Sequence, residues 1–421
     1  MCAAHTCVHY VGSTDDAPPP EDVSGGPAPD HVEMVSTIME DVWAAEVGTL
    51  GYRAPKSDVT SVENGGNALL DVYLVDIGGG GLYGYCTSDD PNLDPSSGYP
   101  SWDMSAYCVL DNDYDISQFG YADPMDPLQV TAAHEFFHAV QFSYDIGEDR
   151  WLMESTSTWM EEHVYDTIND NRQYLSVSPL TQPLVPLDKS TGFQMYGTWI
   201  FWQFLTEYVG GAVPDPNIVR AVWRKADGRP GAPDMYSTQA LAVAVGARTI
   251  GGTRWRFRWA FADFAVWNAR PAKYYDEGGA YPTGKVVKTV TLTKAAPSTK
   301  STAKLDHLTN RYVAVRRGSG LKATARLRVT VDGPGYATGP EASVVVIRKS
   351  GKAGYKVVDL NNAGDGAVTL AFDTTVARVV VIMTNASTRY TNCYADLTSF
   401  ACFGGVPLDQ NRSYTFRAAV V

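Results

Sequence analysis

The chain has 421 residues and is 44% hydrophobic, enough to bury large cores and to form two or three domains. It contains no apolar run of about eighteen residues or more, which argues against a membrane-spanning helix. The net charge of −13 hides an asymmetry, because residues 281–421 hold 19 Lys/Arg against 8 Asp/Glu and carry +11, while the first 280 carry −24. So acidic a first part argues against nucleic acid as a substrate, and the basic last part favours an anionic surface such as a cell-wall polymer or an acidic protein.

Six cysteines occur without a CxxC, and proximity pairs Cys86 with Cys108 and Cys393 with Cys402, other connectivities remaining open. Disulfides imply an oxidising compartment, hence an exported protein. Met1-Cys2 opens without a basic region or an apolar stretch, so any signal peptide or pro-segment is expected to have been removed already.

In chain order, His5 to Val11 alternates like a strand. Cys2, His5, Cys7 and His9 superficially resemble a metal cluster, but side chains this close on a strand are usually structural or disulfide-paired. Asp16 to Pro29 reads as a Pro/Gly-rich loop. Asp30 opens a helix whose apolar positions Val35, Ile38, Met39, Val42, Trp43 and Val47 recur at three and four. Leu69–Asp76, Leu82–Cys86 and Ser105–Leu110 read as strands around the Gly78–Gly81 turn. Asp111-Asn112-Asp113-Tyr114-Asp115 offers oxygen ligands, and calcium is the minority reading of it, since the rest of an EF-hand loop is missing.

The next stretch carries the chemistry. Asp126 as N-cap and Pro127 as N1 predict a helix holding Thr131, His134, Glu135, His138 and Gln141 in one polar stripe among Leu128, Val130, Phe136, Phe137 and Val140. His134 and His138 are one helical turn apart, so both imidazoles project from one face and can grip a metal. Glu135 beside them is placed to take a proton from water polarised by that metal. Zinc in a catalytic site takes three protein ligands, commonly two His and a carboxylate. A second helix with Glu148 or Asp149 near its cap runs from Trp151, and there Glu154 is the expected third ligand. Glu161, two turns further on the same face, is expected to orient a ligand histidine, whereas Glu162 reads as solvated surface.

His134-Glu-Phe-Phe-His138 followed by Trp151-Leu-Met-Glu154 and Glu161 resembles the gluzincins, zinc metallopeptidases with a glutamate third ligand. The likeness is to their aminopeptidase-type pattern HExxH … W-L-x-E-G-x-[AT]-x-[YW]-x-E, with Ser155 where a glycine is usual and a slightly shorter spacing from His138 to Glu154. Residues 5–210 also resemble a group of secreted bacterial metalloproteases with an opening like His9-Tyr10 … Asp16-Ala-Pro-Pro19 and a helix like Ala133–Gln141. The resemblance implies Glu154 on zinc, Glu161 behind the ligands, and Tyr196 as a hydrogen-bond donor to the oxyanion, against the bland alternative of a core tyrosine.

After that pair come a strongly apolar helix, Gly192–Leu205, ending at Gly210-Gly211, and further helices from Asp215, at Ser237–Val245 and at Thr253–Ala269. The last mixes arginines and aromatics and is read as a packed helix with an arginine face. From Lys285 onward, Val286–Leu292, Tyr312–Val315, Ala325–Val331, Ser343–Ile347, Ala367–Phe372, Ala377–Ile382 and Ser413–Arg417 are short alternating runs, predicting an all-β sandwich.

The expected architecture is thus an α+β zincin-like metallopeptidase, with a mixed-sheet subdomain over 1–126 and a helical subdomain over 127–280, followed by a β-sandwich over 285–421. An edge strand of the first subdomain is expected to pair with an extended substrate. The expected activity is that of a secreted zinc endopeptidase acting on protein or peptide. A non-catalytic binding protein on the same scaffold is the alternative, as is a zinc aminopeptidase, for which no GxMEN-like sequence occurs in the first 126 residues.

Overall fold

The computed structural model describes residues 1–61, 63–211, 213–396 and 399–421. Its contacts divide the chain into two compact units, residues 1–173 with 216–240, and residues 174–215 with 241–421. This division differs from the expected boundaries: the sheet and both histidine-bearing and glutamate-bearing helices share the first unit, and parts of the expected 127–280 segment belong with the sandwich.

In the first unit, β1 (Thr6–His9), β2 (Leu70–Val75), β3 (Gly84–Thr87) and β4 (Tyr107–Asp111) form one sheet in the order β1-β2-β4-β3. β1, β2 and β4 run parallel, and β3 is an antiparallel edge. Helix α1 (Asp30–Trp43) buries Val35, Ile38, Met39 and Val42 of the predicted stripe, with Val32 beside them, while Trp43 is half-buried and Val47 falls in the π-helical turn that follows. Its end meets the next long helix through an edge-on contact of Trp43 with Phe136, ring centroids 5.6 Å apart. Helix α2 (Met125–Asp145) is buried almost throughout. It starts earlier than expected: Pro124 holds the N-cap position without a side-chain capping bond, Asp126 lies in the first turn, and Asp123 accepts the Met125 amide at 3.0 Å. Helix α3 (Arg150–Val164) follows after a short turn, with Asp149 at its N-cap position.

In the second unit the apolar helix expected over Gly192–Leu205 is two elements, a turn at Gln194–Gly197 and α4 (Trp199–Gly210). The Thr198 hydroxyl between them bonds back to the carbonyls of Gln194 and Leu187 at 3.0 and 3.3 Å, competing with the helical ladder. Helix α5 (Phe257–Asn268) is shorter than predicted, since Thr253-Arg254 pairs instead with Thr249-Ile250. Gly251 and Gly252, at φ of +57° and +79°, make that hairpin turn.

Among the described residues the sandwich has nine strands: β5 (Val286–Leu292), β6 (Ser298–Leu305), β7 (Thr309–Arg317), β8 (Arg326–Asp332), β9 (Pro340–Arg348), β10 (Ala353–Val357), β11 (Asp365–Ala371), β12 (Val376–Asn385) and β13 (Arg412–Val420). They form a four-stranded sheet, β11-β8-β13-β6, and a five-stranded one, β10-β9-β12-β7-β5. Leu327, Val329, Phe416 and Ala418 from the first meet Val313, Val315, Val344, Val379 and Val381 from the second in one core. β6 and β10 were not expected, because β6 alternates only Ser, Thr, Lys and Ala before Leu305 and β10 is an exposed edge. Ala265, Val266 and Ala269, at the end of α5, pack on the other face of the five-stranded sheet against Tyr312, Val345, Val380 and Ile382.

All six cysteines are paired, Cys86–Cys108 and Cys393–Cys402 as proximity indicated, with Cys2–Cys7 the third. That oxidation state belongs to an extracellular or periplasmic setting. Among the described residues no helix is long and apolar enough to cross a membrane.

Candidate metal centre

Helix α2 presents His134 and His138 from adjacent turns, and α3 packs beside it. The helices meet at small hydroxyls, Thr156 and Ser157 of α3 lying against Gln141 of α2, and Ser155 and Thr158 beside them are buried as well. Their polarity is absorbed within the helix, Thr156 Oγ1 donating to the Leu152 carbonyl at 2.7 Å and Thr158 Oγ1 to that of Glu154 at 2.9 Å. Ser155, where the resembled pattern has glycine, donates in the same way to the Trp151 carbonyl.

This packing brings three side chains together. The Nε2 atoms of His134 and His138 lie 3.4 and 3.5 Å from the same oxygen, Glu154 Oε2. That oxygen is buried and has no hydrogen-bond donor among the described residues. Tetrahedral zinc with bonds of about 2.0–2.1 Å spaces its ligand atoms about 3.3–3.4 Å apart. The observed spacings therefore fit a shared cation better than direct hydrogen bonds, and two imidazoles with one carboxylate are a zinc-type donor set.

The far side of each ring is anchored. His134 Nδ1 lies 2.5 Å from Glu161 Oε1, as expected of Glu161. His138 Nδ1 lies 2.8 Å from Gln141 Oε1. Gln141 is fully buried and donates Nε2 toward the Met153 carbonyl, Thr156 Oγ1 and Ser157 Oγ, at 3.0, 3.1 and 3.0 Å. With both Nδ1 atoms occupied, both Nε2 atoms are left to face Glu154. Gln141 stood on the predicted polar stripe, but its role went unread because its partners lie on α3. Glu162, expected at the solvated face, is buried.

The electrostatics follow from this crowding. Burial pushes the Glu154 carboxyl up, yet the His138 and His134 charges overcome it and hold it well below the usual carboxylate range. Burial lowers the histidines, but Glu154 and Glu161 reverse this at His134, and Glu154 at His138, so both rings rise above their ordinary value. Burial lifts Glu161 to about 7 against the pull of His134. Glu135 is also raised by burial, opposed by both histidines. Two basic imidazoles around an ionised carboxylate form a set whose chemistry allows its protons to be exchanged for a divalent cation.

Edge strand β3 passes directly over this part of α2. A Cβ at Gly84 would fall 2.8 Å from Thr131 Cγ2 and 3.0 Å from Glu135 Cγ, so glycine permits the approach. Cys86 and Cys108 are register partners and their disulfide ties β3 to β4 there.

Tyr196 belongs to the second unit, where its ring stacks on Tyr174 at 5.1 Å, and is not among the residues that the first unit gathers. The Asp111–Asp115 run is used up in turns: Asp111 accepts the amides of Ile77, Gly78, Asp113 and Tyr114, Asp113 that of Asp115, and Asp115 that of Ser117. Acceptors so engaged do not favour calcium. Cys7, His9 and Asp71 do come together, but Cys7 is in a disulfide and His9 Nε2 is 2.7 Å from Asp71 Oδ1, a structural pair.

No family model and no curated protein matches this chain. Solved structures are similar over part of it. PliG of Aeromonas hydrophila, a periplasmic inhibitor of g-type lysozyme, is 14% identical over 32% of this chain and 98% of its own, with a TM-score of 0.18. The pre-peptidase C-terminal domain of a Bacillus anthracis collagenase is 10% identical over 32% and 97%, with a TM-score of 0.19. CorA, a surface-associated copper-binding protein of Methylomicrobium album BG8, is 11% identical over 32% and 98%, also at 0.19. At these TM-scores the likenesses carry no argument about fold or function, and the gluzincin resemblance rests on the residues of α2 and α3.

Proposed function

We propose that the protein is an exported zinc-dependent endopeptidase of gluzincin type, with a zincin-like first unit and with His134, His138 and Glu154 as its zinc ligands. The observation that carries this reading is the convergence of two imidazole nitrogens on one unpartnered carboxylate oxygen at 3.4 and 3.5 Å, beside a buried glutamate. Zinc, when bound, supplies Lewis acidity for the substrate carbonyl and acidifies water. Glu135, one residue from the first ligand, accepts the proton of the attacking water and delivers it to the leaving amine. Its raised carboxyl suits both halves of that transfer. Glu161 and Gln141 hold the ligand rings in orientation.

The substrate is a protein or peptide in extended form. β3 is an edge strand with β4 as its partner, leaving its outer edge available for backbone pairing next to Glu135. An endopeptidase is preferred because no GxMEN-like exopeptidase sequence occurs in residues 1–126.

Metal content by mass spectrometry and cleavage of unfolded casein test the reading together. One zinc per chain is expected in the wild type and in Glu135→Gln, with zinc lost in Glu154→Ala. Casein cleavage is expected only in the wild type. Zinc retained in Glu154→Ala would move the third ligand, and undiminished cleavage by Glu135→Gln would remove that residue from the mechanism.

A further inference from the structure

We propose that the second unit carries a binding cleft for an acidic glycan at the amino-terminal end of α5. The cleft lies entirely within that unit and has two adjoining parts. A larger one of about 730 Å³ is bounded by the start of α5 and by residues 337–339 and 386–389. A smaller one of about 430 Å³ shares Thr253, Trp255 and Trp259 with it as a common wall.

The larger part is built for negative charge. Arg254, Arg256 and Arg389 line it, and among the described residues Arg254 and Arg256 make no ion pair. Arg254 Nε donates to the Gly246 carbonyl at 2.6 Å, and the Arg256 guanidinium stands 5.0 Å from the Trp259 ring centre, so both are positioned yet uncompensated. Arg389 is 3.4 Å from Asp409, but Arg412 shares that carboxylate at 2.8 Å, leaving positive charge in excess. Arg256 is also the N-cap of α5 without a side-chain capping bond, so the first-turn amides of this twelve-residue helix add to the attraction. Arg258 is the contrast: bonded to Glu341 and to the carbonyls of Tyr336 and Pro340, it is structural.

The smaller part is built for a sugar ring. Tyr208 is backed by the buried Trp255, which stacks on it within 2° of parallel at 4.8 Å, and Tyr355, 42% exposed, stands on the same cavity as the accessible ring. Asp263 accepts from Tyr208 Oη at 2.8 Å and Asp359 is also on the wall, whereas Glu341 is taken by Arg258. Aromatic faces take the apolar faces of pyranoses, and carboxylates accept their hydroxyls. A poly-acidic peptide has no hydroxyls to donate to these carboxylates and no pyranose face for Tyr355, and a neutral glycan would have no use for the arginines. A chain with sugar hydroxyls at one end of the cleft and a carboxylate or phosphate at the other satisfies both parts. This binding is independent of the peptidase reading.

The test uses the full chain in affinity electrophoresis through gels holding polygalacturonate, dextran, poly-glutamate or inorganic polyphosphate. Retardation by polygalacturonate is expected, weakened about tenfold or more in Arg254→Gln/Arg256→Gln, since each lost charge-assisted contact is substantial. Tyr355→Ala, at an exposed edge, should weaken polygalacturonate binding and leave any polyphosphate binding unchanged. Arg326→Gln/Arg328→Gln, exposed on β8 away from the cleft residues, should match the wild type. An equal loss in that control would reduce the effect to general charge and overturn the proposal. So would dextran or poly-glutamate bound as tightly as polygalacturonate, or no retardation by polygalacturonate at all. Unchanged thermal midpoints in all variants keep the comparison free of folding defects.

Discussion

Replacing Glu161 by Gln isolates the electrostatic part of the site from its shape. Glu161 Oε1 lies 2.5 Å from His134 Nδ1, and both side chains are buried. The amide keeps an acceptor for the ring N–H, as Gln141 does for His138 at 2.8 Å, but removes the charge that raises the basicity of His134. Losing such a partner typically lowers metal affinity about 10–100-fold, or roughly 1.4–2.7 kcal/mol. Competition for zinc against a chromogenic chelator measures this directly. The sign of the pH dependence is a second readout. Protons compete with the metal for His134, and Glu161 holds that histidine above its ordinary value, so the acid limb of zinc binding should move to lower pH in the variant. A variant of unchanged fold, with wild-type affinity and an unmoved acid limb, would refute the positioning role.

Three further outcomes are expected. Gly84→Val drives its side chain against Thr131, Glu135 and the Val109 carbonyl, so casein cleavage should fall and stability should drop by about 1–3 kcal/mol in chemical denaturation; unchanged values would show that β3 is not held where it lies. Asp145 is 2% exposed, and burial lifts its carboxyl to about 8. Its stabilising protonated form is present at acid pH and is lost as pH rises toward 8, so the wild type should lose on the order of a few kcal/mol relative to Asp145→Asn between about pH 4 and 8; parallel profiles in pH-dependent unfolding would show that Asp145 does not titrate there. Finally, Gln141→Leu leaves His138 Nδ1 without its acceptor and should weaken zinc retention while Glu161 stays intact, as metal analysis after dialysis against a weak chelator would reveal; full retention would restrict Gln141 to a packing role.

The placing of the two histidines was legible in the sequence because it depends on one helix. His134 and His138 are a turn apart, and any helix through Ala133–Gln141 must put them on one face. Glu154 and Glu161 followed from the same periodicity on α3 and from the carboxylate that a zinc site commonly adds to two histidines, a choice that the resemblance then matched. The strand runs of the sandwich were likewise local, since alternation of β-branched and polar residues is a property of each strand alone. Elements set by side-chain competition were misread: Thr198 splits one apolar helix in two, and the Gly251-Gly252 turn takes Thr253-Arg254 out of α5.

Only tertiary packing decided the rest. Local periodicity can place Gln141 on a polar stripe but says nothing of the four groups it bonds, because three of them arrive on α3 and the fourth is His138. The closeness of β3 to Glu135, which rests on Gly84, and the cleft around Arg256 and Tyr208 join residues dozens of positions apart. The sequence by itself determined which residues each helix and strand carries to a face, because backbone periodicity is local. Which faces meet, and so which carboxylate completes a metal site or stays uncompensated, was decided by the packing of buried surfaces between segments distant in the chain.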